Sequence, residues 1–123
     1  MDKEWINMKF DDISDNELWV IANPIMDNLM DGSTKVDHAQ HCRDFTQRMK
    51  DIVTPEYLEK VCHHYQHSNG FFAERKQVAL FRRSDSIAFV WKQAYTIAKG
   101  EFVAEMVLVE EDGRYLVDHV MVF

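Results

Sequence analysis

The sequence predicts an α+β domain in which about three helices, in residues 15–70, cover one face of a four-stranded antiparallel sheet in residues 71–123. Three observations carry this. Between Asp15 and Asn69 the apolar residues recur at spacings of three and four, the period of a helix face. After Gly70 the period becomes two, and the runs fill with β-branched and aromatic residues. Asp112-Gly113 between two such runs is the strongest short hairpin signal in the chain.

Residues 1–14 scatter Trp5, Ile6, Met8, Phe10 and Ile13 among acids and read as an N-terminal arm on the single domain. Ser14 or Asp15 can cap the first helix, with Glu17 in its first turn where an acid suits the helix dipole. Leu18, Trp19, Ala22, Ile25, Met26, Leu29 and Met30 form its stripe, and Asp31-Gly32-Ser33 is expected to end it. Pro24 either kinks this helix or, with Asn23 as cap, opens a second segment. Asp37 caps the next helix, whose apolar positions are Val36, Ala39, Cys42, Phe45, Met49 and Ile52. Thr54-Pro55-Glu56 starts the third, because threonine caps, proline fits the first helical position and an acid follows. Tyr57, Leu58, Val61, Cys62 and Tyr65 make its apolar face, and Asn69-Gly70 stops it.

The sheet is read mainly from Val78 to Phe123. A two-residue Asp112-Gly113 loop pairs Glu111 with Arg114, Leu108 with Val117, Met106 with His119 and Ala104 with Met121. A Lys99-Gly100 loop pairs Ile97 with Phe102 and Tyr95 with Ala104. Since neighbours along a strand alternate in direction, these registers define two faces. The helix-covered one carries Val78, Leu80, Phe89, Trp91, Tyr95, Ile97, Phe102, Ala104, Met106, Leu108, Tyr115, Val117, Met121 and Phe123, with Arg82, Gln93 and His119 as its polar members. The other is smaller and valine-rich, with Glu105 and Asp118 on it. A one-residue slip would bring both acids inside. This second face is too apolar to leave in water. A homodimer is therefore expected through Val103, Val107, Val120 and Val122.

The net charge of −7 and a pI near 5.3 disfavour a phosphate backbone, so nucleic acid is not an expected partner. The charged start shows no leader-like apolar region, and no apolar run is long enough to span a membrane. A cytoplasmic location follows as the expectation, with Cys42 and Cys62 as reduced thiols packed like small hydrophobes. There is no glycine-rich phosphate loop and no Gly-x-Ser-x-Gly elbow. No cofactor is implied.

Helices first, then a meander with Phe-Val-Trp-Lys from Phe89, Gly-Glu-Phe-Val-Ala-Glu from Gly100 and a closing Glu-Asp-Gly-Arg-Tyr-Leu-Val hairpin from Glu111, resemble the nuclear-transport-factor-2-like superfamily. This is the fold shared with ketosteroid isomerase and scytalone dehydratase, and the resemblance covers roughly residues 15–123. It implies a cone, with helices on the concave face of a curved sheet around a pocket, and dimerisation through the outer face. Enzymes of that family place an Asp, Tyr or His inside the cone. Here no carboxylate falls at mid-strand on the inner face.

His119 with Tyr95 is the candidate proton-transfer pair; the ordinary reading of His119 is a core-edge histidine bonded to a tyrosine or backbone group. Arg82, Trp91, Gln93, Tyr95, Met106, Tyr115, His119 and Tyr57 are the candidate ligand-binding set, although Gln93 and Tyr95 can simply satisfy each other. His38, His41, His63, His64 and His67 include helically spaced pairs. Without a cysteine or carboxylate at ligand spacing they read as solvated helix-surface residues, and no metal site is expected. The leading expectation is a homodimer binding a small apolar ligand. The alternatives are a lyase- or isomerase-like enzyme using His119 and a tyrosine, and a protein-interaction module.

Overall fold

A computed structural model describes residues 12–123, so most of the expected N-terminal arm lies outside the described residues. Helices α1 (Asp15–Thr34), α2 (His38–His41), α3 (Gln47–Ile52) and α4 (Pro55–Asn69) pack on the concave face of a curved antiparallel sheet. Its strands are β1 (Phe72–Arg82), β2 (Ile87–Tyr95), β3 (Phe102–Glu111) and β4 (Arg114–Val122), in the order β1-β2-β3-β4. The result is an α+β cone.

The caps read from sequence are in place. Ser14, Asp37 and Thr54 each accept a hydrogen bond from the backbone N–H three residues on, at 3.1 Å in all three cases. Helix α1 does not divide at Pro24. Pro24 and Val20, whose carbonyl loses its helical partner, are both on the exposed side, so the freed carbonyl faces solvent and the missing bond costs least there. Asn23 is no cap: its side chain accepts the Trp91 indole N–H at 3.0 Å and donates to Gln77 at 2.8 Å. Nor does Gly32 end the helix. A Cβ there would stand 2.5 Å from the His41 backbone N, so glycine is needed where α2 crosses α1.

The expected second helix is two short ones. Between them the chain is extended and lies on the edge of β4: Thr46 N donates to Val117 O at 3.0 Å and Val117 N to Asp44 O at 2.6 Å. Covering the edge there satisfies the backbone groups of Val117 and interrupts the helical period. Cys42, Phe45 and Met49 are buried as expected, but Val36 is 41% and Ile52 51% exposed.

Asp112 and Gly113 take positive φ of 52° and 80°, as their tight turn requires, and Glu111–Arg114 and Leu108–Val117 pair as expected. Beyond Val117 the expectation fails. A β-bulge leaves Asp118 without a partner, so Val107 pairs with His119, Met106 with Val120 and Ala104 with Val122. Val120 and Val122 therefore turn inward against the core, whereas His119 and Met121 turn to the convex face. The cause is Asp118 itself. Its carboxylate accepts from Thr46 Oγ1 at 2.9 Å and Arg48 Nε at 3.1 Å, and its carbonyl accepts from Arg48 Nη2. The residue leaves the pleat to bind α3.

The β2–β3 loop is longer than Lys99-Gly100, because Thr96, Ile97 and Ala98 donate back to Phe71 and Asn69 carbonyls at the end of α4. Trp91 thus pairs with Ala104 and Gln93 with Phe102, an even offset that leaves both faces unchanged. In β1, which begins at Phe72, an irregularity between Gln77 and Ala79 leaves Val78 60% exposed instead of facing the helices. The core centres on Phe89, Trp91, Met106 and Val117 against Leu18, Ala22 and Met26, with Trp19 edge-on to Phe89 and Trp91.

Candidate functional site

The helices do not fill the cone to its end. A cavity of about 410 Å³ lies between the C-terminal half of α1, the helices α2 to α4 and the ends of β1, β2 and β4. Leu29, Met30, Met49, Val53, Leu58, Val120 and Val122 make an apolar wall. Into it face Ser33, His41, Tyr65 and Tyr95, while Arg48, Tyr57 and His119 also border it. The inward turn of Val120 and Val122 after the bulge supplies part of the wall.

His41 is the deepest titratable group. Gly32 lets α2 come close enough to α1 for His41 Nδ1 to lie 2.8 Å from the Leu29 carbonyl, and Phe45 packs edge-on at 5.2 Å. A carbonyl only accepts, so Nδ1 carries the proton and the neutral ring presents Nε2 as an acceptor. Burial pushes the His41 pKa below its ordinary 6.5, against the Leu29 hydrogen bond that raises it. Tyr65 bonds Ser33 Oγ at 2.7 Å and accepts from Gln66 Nε2 at 3.3 Å. Cys62, fully buried, donates to the Ser33 carbonyl at 3.2 Å. Burial raises the pKa of both Tyr65 and Tyr95, so each is a neutral hydroxyl. Rings of Tyr65, Phe72, Tyr95 and Phe102 follow one another at 4.9 to 5.3 Å. Burial also raises the Cys42 thiol, the opposite of what a nucleophile needs.

Of the residues singled out from sequence, Tyr57, Tyr95 and His119 border the cavity. Trp91, Met106 and Gln93 are sealed in the packed core instead, Gln93 donating to the Ala73 and Ala94 carbonyls. Arg82 is tied to the start of α1 through Asp15 and the Ile13 carbonyl, both at 2.7 Å. Tyr115 packs half-buried against the core and is not among the cavity residues. His119 stands at the strand edge with Nε2 2.9 Å from Glu105 on the convex side, where both border a shallow cleft with Arg48, Arg83 and Asp118. The two acids stay out of the cone: Glu105 is on the convex face and Asp118 in the bulge.

His41, Ser33 and Met49 were missed as site residues. His41 carried one signal, its position four before the apolar Phe45 and thus on the same side of a helix. The other clustered histidines do not join it: His38 bonds the Val53 carbonyl at 2.7 Å, and His63, His64 and His67 are exposed. Among the described residues no three His, Cys, Asp or Glu side chains gather as metal ligands. No helix among them is long and apolar enough to cross a membrane.

No family model matches the sequence, and no curated protein matches it. Solved structures do match the fold. An NTF2-like protein of unknown function from Shewanella baltica aligns over 91% of this chain and 97% of its own, at a TM-score of 0.56 and 10% identity. A putative calcium/calmodulin-dependent protein kinase type II association domain from Thiobacillus denitrificans aligns over 82% and 92%, at 0.60 and 12%. A SEC-C motif containing protein from Rhodopseudomonas palustris aligns over 81% and 77%, at 0.59 and 9%. At such identities the likeness is one of fold alone: the chain has a cone fold similar to that of the NTF2-like protein, and its activity has to be argued from its own site.

Proposed function

We propose that the protein binds a small, largely apolar ligand in the cavity between helices and sheet, and does so as a homodimer. The cavity carries the first half. Its volume of about 410 Å³ lies within the usual range for ligand pockets, and its apolar walls come from both layers with a few polar groups converging. The test is titration of the purified protein with the neutral apolar fluorophore N-phenyl-1-naphthylamine, beside mass spectrometry of an organic extract. Val61 at the cavity border is part-exposed, so Val61→Trp should obstruct entry at little cost in stability. Saturable binding that Val61→Trp weakens at least about tenfold is expected. A wild type that binds no apolar probe, or a Val61→Trp that binds it equally well, rejects the reading.

The dimer half rests on the convex face. Phe81, Met121 and Phe123 are half or more exposed there, and Val90, Val103 and Val107 adjoin them. Val120 and Val122 are no longer part of it. Light scattering should give twice the chain mass, and Met121→Glu, which sets a second acid opposite Glu105, should give one. Proton transfer by His119 with a tyrosine has weaker support, because Glu105 already engages its Nε2 on the far side of the sheet.

A further inference from the structure

We infer that His41 is the orienting acceptor of this cavity, and that the ligand is a neutral, largely apolar molecule carrying one hydroxyl or N–H donor. The inference rests on the reading that the cavity binds a ligand. Nδ1 of His41 gives its proton to the Leu29 carbonyl, so Nε2 holds a lone pair. No hydrogen bond from a described residue reaches that lone pair. Nor is Nε2 among the buried polar atoms sealed from water without a partner, which among the described residues are Arg75 Nε and Gln93 Oε1. The side chain is only 8% exposed and it lines the cavity, so the open nitrogen looks into the cavity.

Deep in the cavity the other polar groups are largely committed, while Tyr57 stands half-exposed at its rim. Ser33, Cys62, Tyr65 and Gln66 satisfy one another. Tyr95 is a neutral hydroxyl near the Asn69 side chain. At the border Arg48 is held by Asp118 and His119 by Glu105, so among the described cavity residues an anionic ligand would meet no unpaired cation. A ligand without a donor would strip water from Nε2 and return nothing; a ligand with one replaces that water bond with its own, and the difference favours the donor.

The test compares indole with N-methylindole, which have the same ring and differ in the N–H donor. Isothermal titration of the wild type should show indole binding about tenfold more tightly. His41→Asn keeps an amide near Nδ1 for the Leu29 bond but has no group at Nε2. It should bring the two affinities within about twofold of each other, with N-methylindole binding unchanged. A second readout needs no variant: in nitrogen NMR of the wild-type histidines, the Nε2 resonance of His41 should move with indole and stay with N-methylindole. Equal wild-type affinities, or a His41→Asn that keeps the preference, overturn the assignment while leaving the cavity reading intact. A wild type that binds neither compound overturns both.

Discussion

Replacing Gly32 by alanine sets two effects of opposite sign against each other. Gly32 lies inside α1, where alanine is ordinarily the better residue by about 0.5–1 kcal/mol. On helix propensity alone Gly32→Ala should stabilise. The added methyl, however, would sit 2.5 Å from His41 N, 2.8 Å from its Cα and 3.1 Å from Gln40 C, where ordinary contact begins at 3.4 Å. Those are backbone atoms, so no rotamer can relieve the clash, and α2 would have to retreat by most of an ångström. Among the described residues five hydrogen bonds tie α2 and its cap to α1: Asp37 N to Gly32 O at 2.8 Å, Asn28 Nδ2 to Gln40 O at 3.0 Å, Gln40 Nε2 to Asp31 Oδ2 at 2.8 Å and to Asn28 Oδ1 at 3.4 Å, and His41 Nδ1 to Leu29 O at 2.8 Å. Stretching two of them at about 1 kcal/mol each, on top of an overpacking cost of about 1–3 kcal/mol, outweighs the propensity gain. A net loss of about 2–3 kcal/mol is expected, read as a lower urea midpoint by tryptophan fluorescence with an unchanged slope. Indole should also lose its advantage over N-methylindole, because His41 moves with α2. A variant as stable as wild type, or more stable, refutes the close crossing on which the placement of His41 depends.

Three further substitutions or conditions test other joints. Val36 follows α1 with a φ of 54°, a left-handed conformation that β-branched residues resist, and its side chain is 41% exposed. Val36→Gly should therefore raise the unfolding free energy by about 1 kcal/mol, read as a higher urea midpoint, and an unchanged midpoint refutes strain at this position. Asp118→Ala removes the carboxylate held by Thr46 and by a half-exposed Arg48; a loss of about 1–2 kcal/mol in urea unfolding is expected, and a loss below a few tenths would deny that these bonds anchor the bulge. As for pH, His41 in the folded protein binds its proton less readily than at the ordinary pKa of 6.5. Below 6.5 the unfolded chain then takes up more protons than the folded one, so stability should rise with pH and fall as pH drops below 6.5. Urea midpoints from about pH 7.5 to 5 should show this slope in wild type and less of it in His41→Asn.

The sequence carried the fold well because most of its signals are local. Ser14, Asp37 and Thr54 cap helices through bonds that reach only three residues, and Asp112-Gly113 sets its turn from two dihedral pairs. The four-residue error in register at Lys99-Gly100 was harmless, since an even shift keeps every side chain on its face. Asp118 was not harmless. One extra residue reversed the direction of every side chain after it, so that His119 left the cone and Val120 and Val122 entered it. Nothing local announces that bulge: its cause is Thr46 and Arg48, some seventy residues away. The break between α2 and α3 has the same origin, because the segment that interrupts the helical period is the one that pairs with Val117.

These failures of periodic reading concern the same part of the molecule, and there is a physical reason. A regular helix on a regular sheet can pack to the density of an organic crystal, as Phe89, Trp91 and Met106 do here against Leu18, Ala22 and Met26. A cavity needs elements that depart from regular packing. Here α2 is pulled across α1 at Gly32, the chain at Phe45 is drawn onto the edge of β4, and β4 is bulged at Asp118. Each departure depends on a contact distant in sequence, which is why the aromatic stripe of Trp91, Gln93 and Met106 looked like the pocket and is the core. The polar group most open to a ligand then stands beside the joints, on the short helix that regular periodicity would have merged into a longer one. His41 owes its half-satisfied ring to that geometry: Gly32 admits its backbone, Leu29 takes one nitrogen, and the gap between the layers is left to the other.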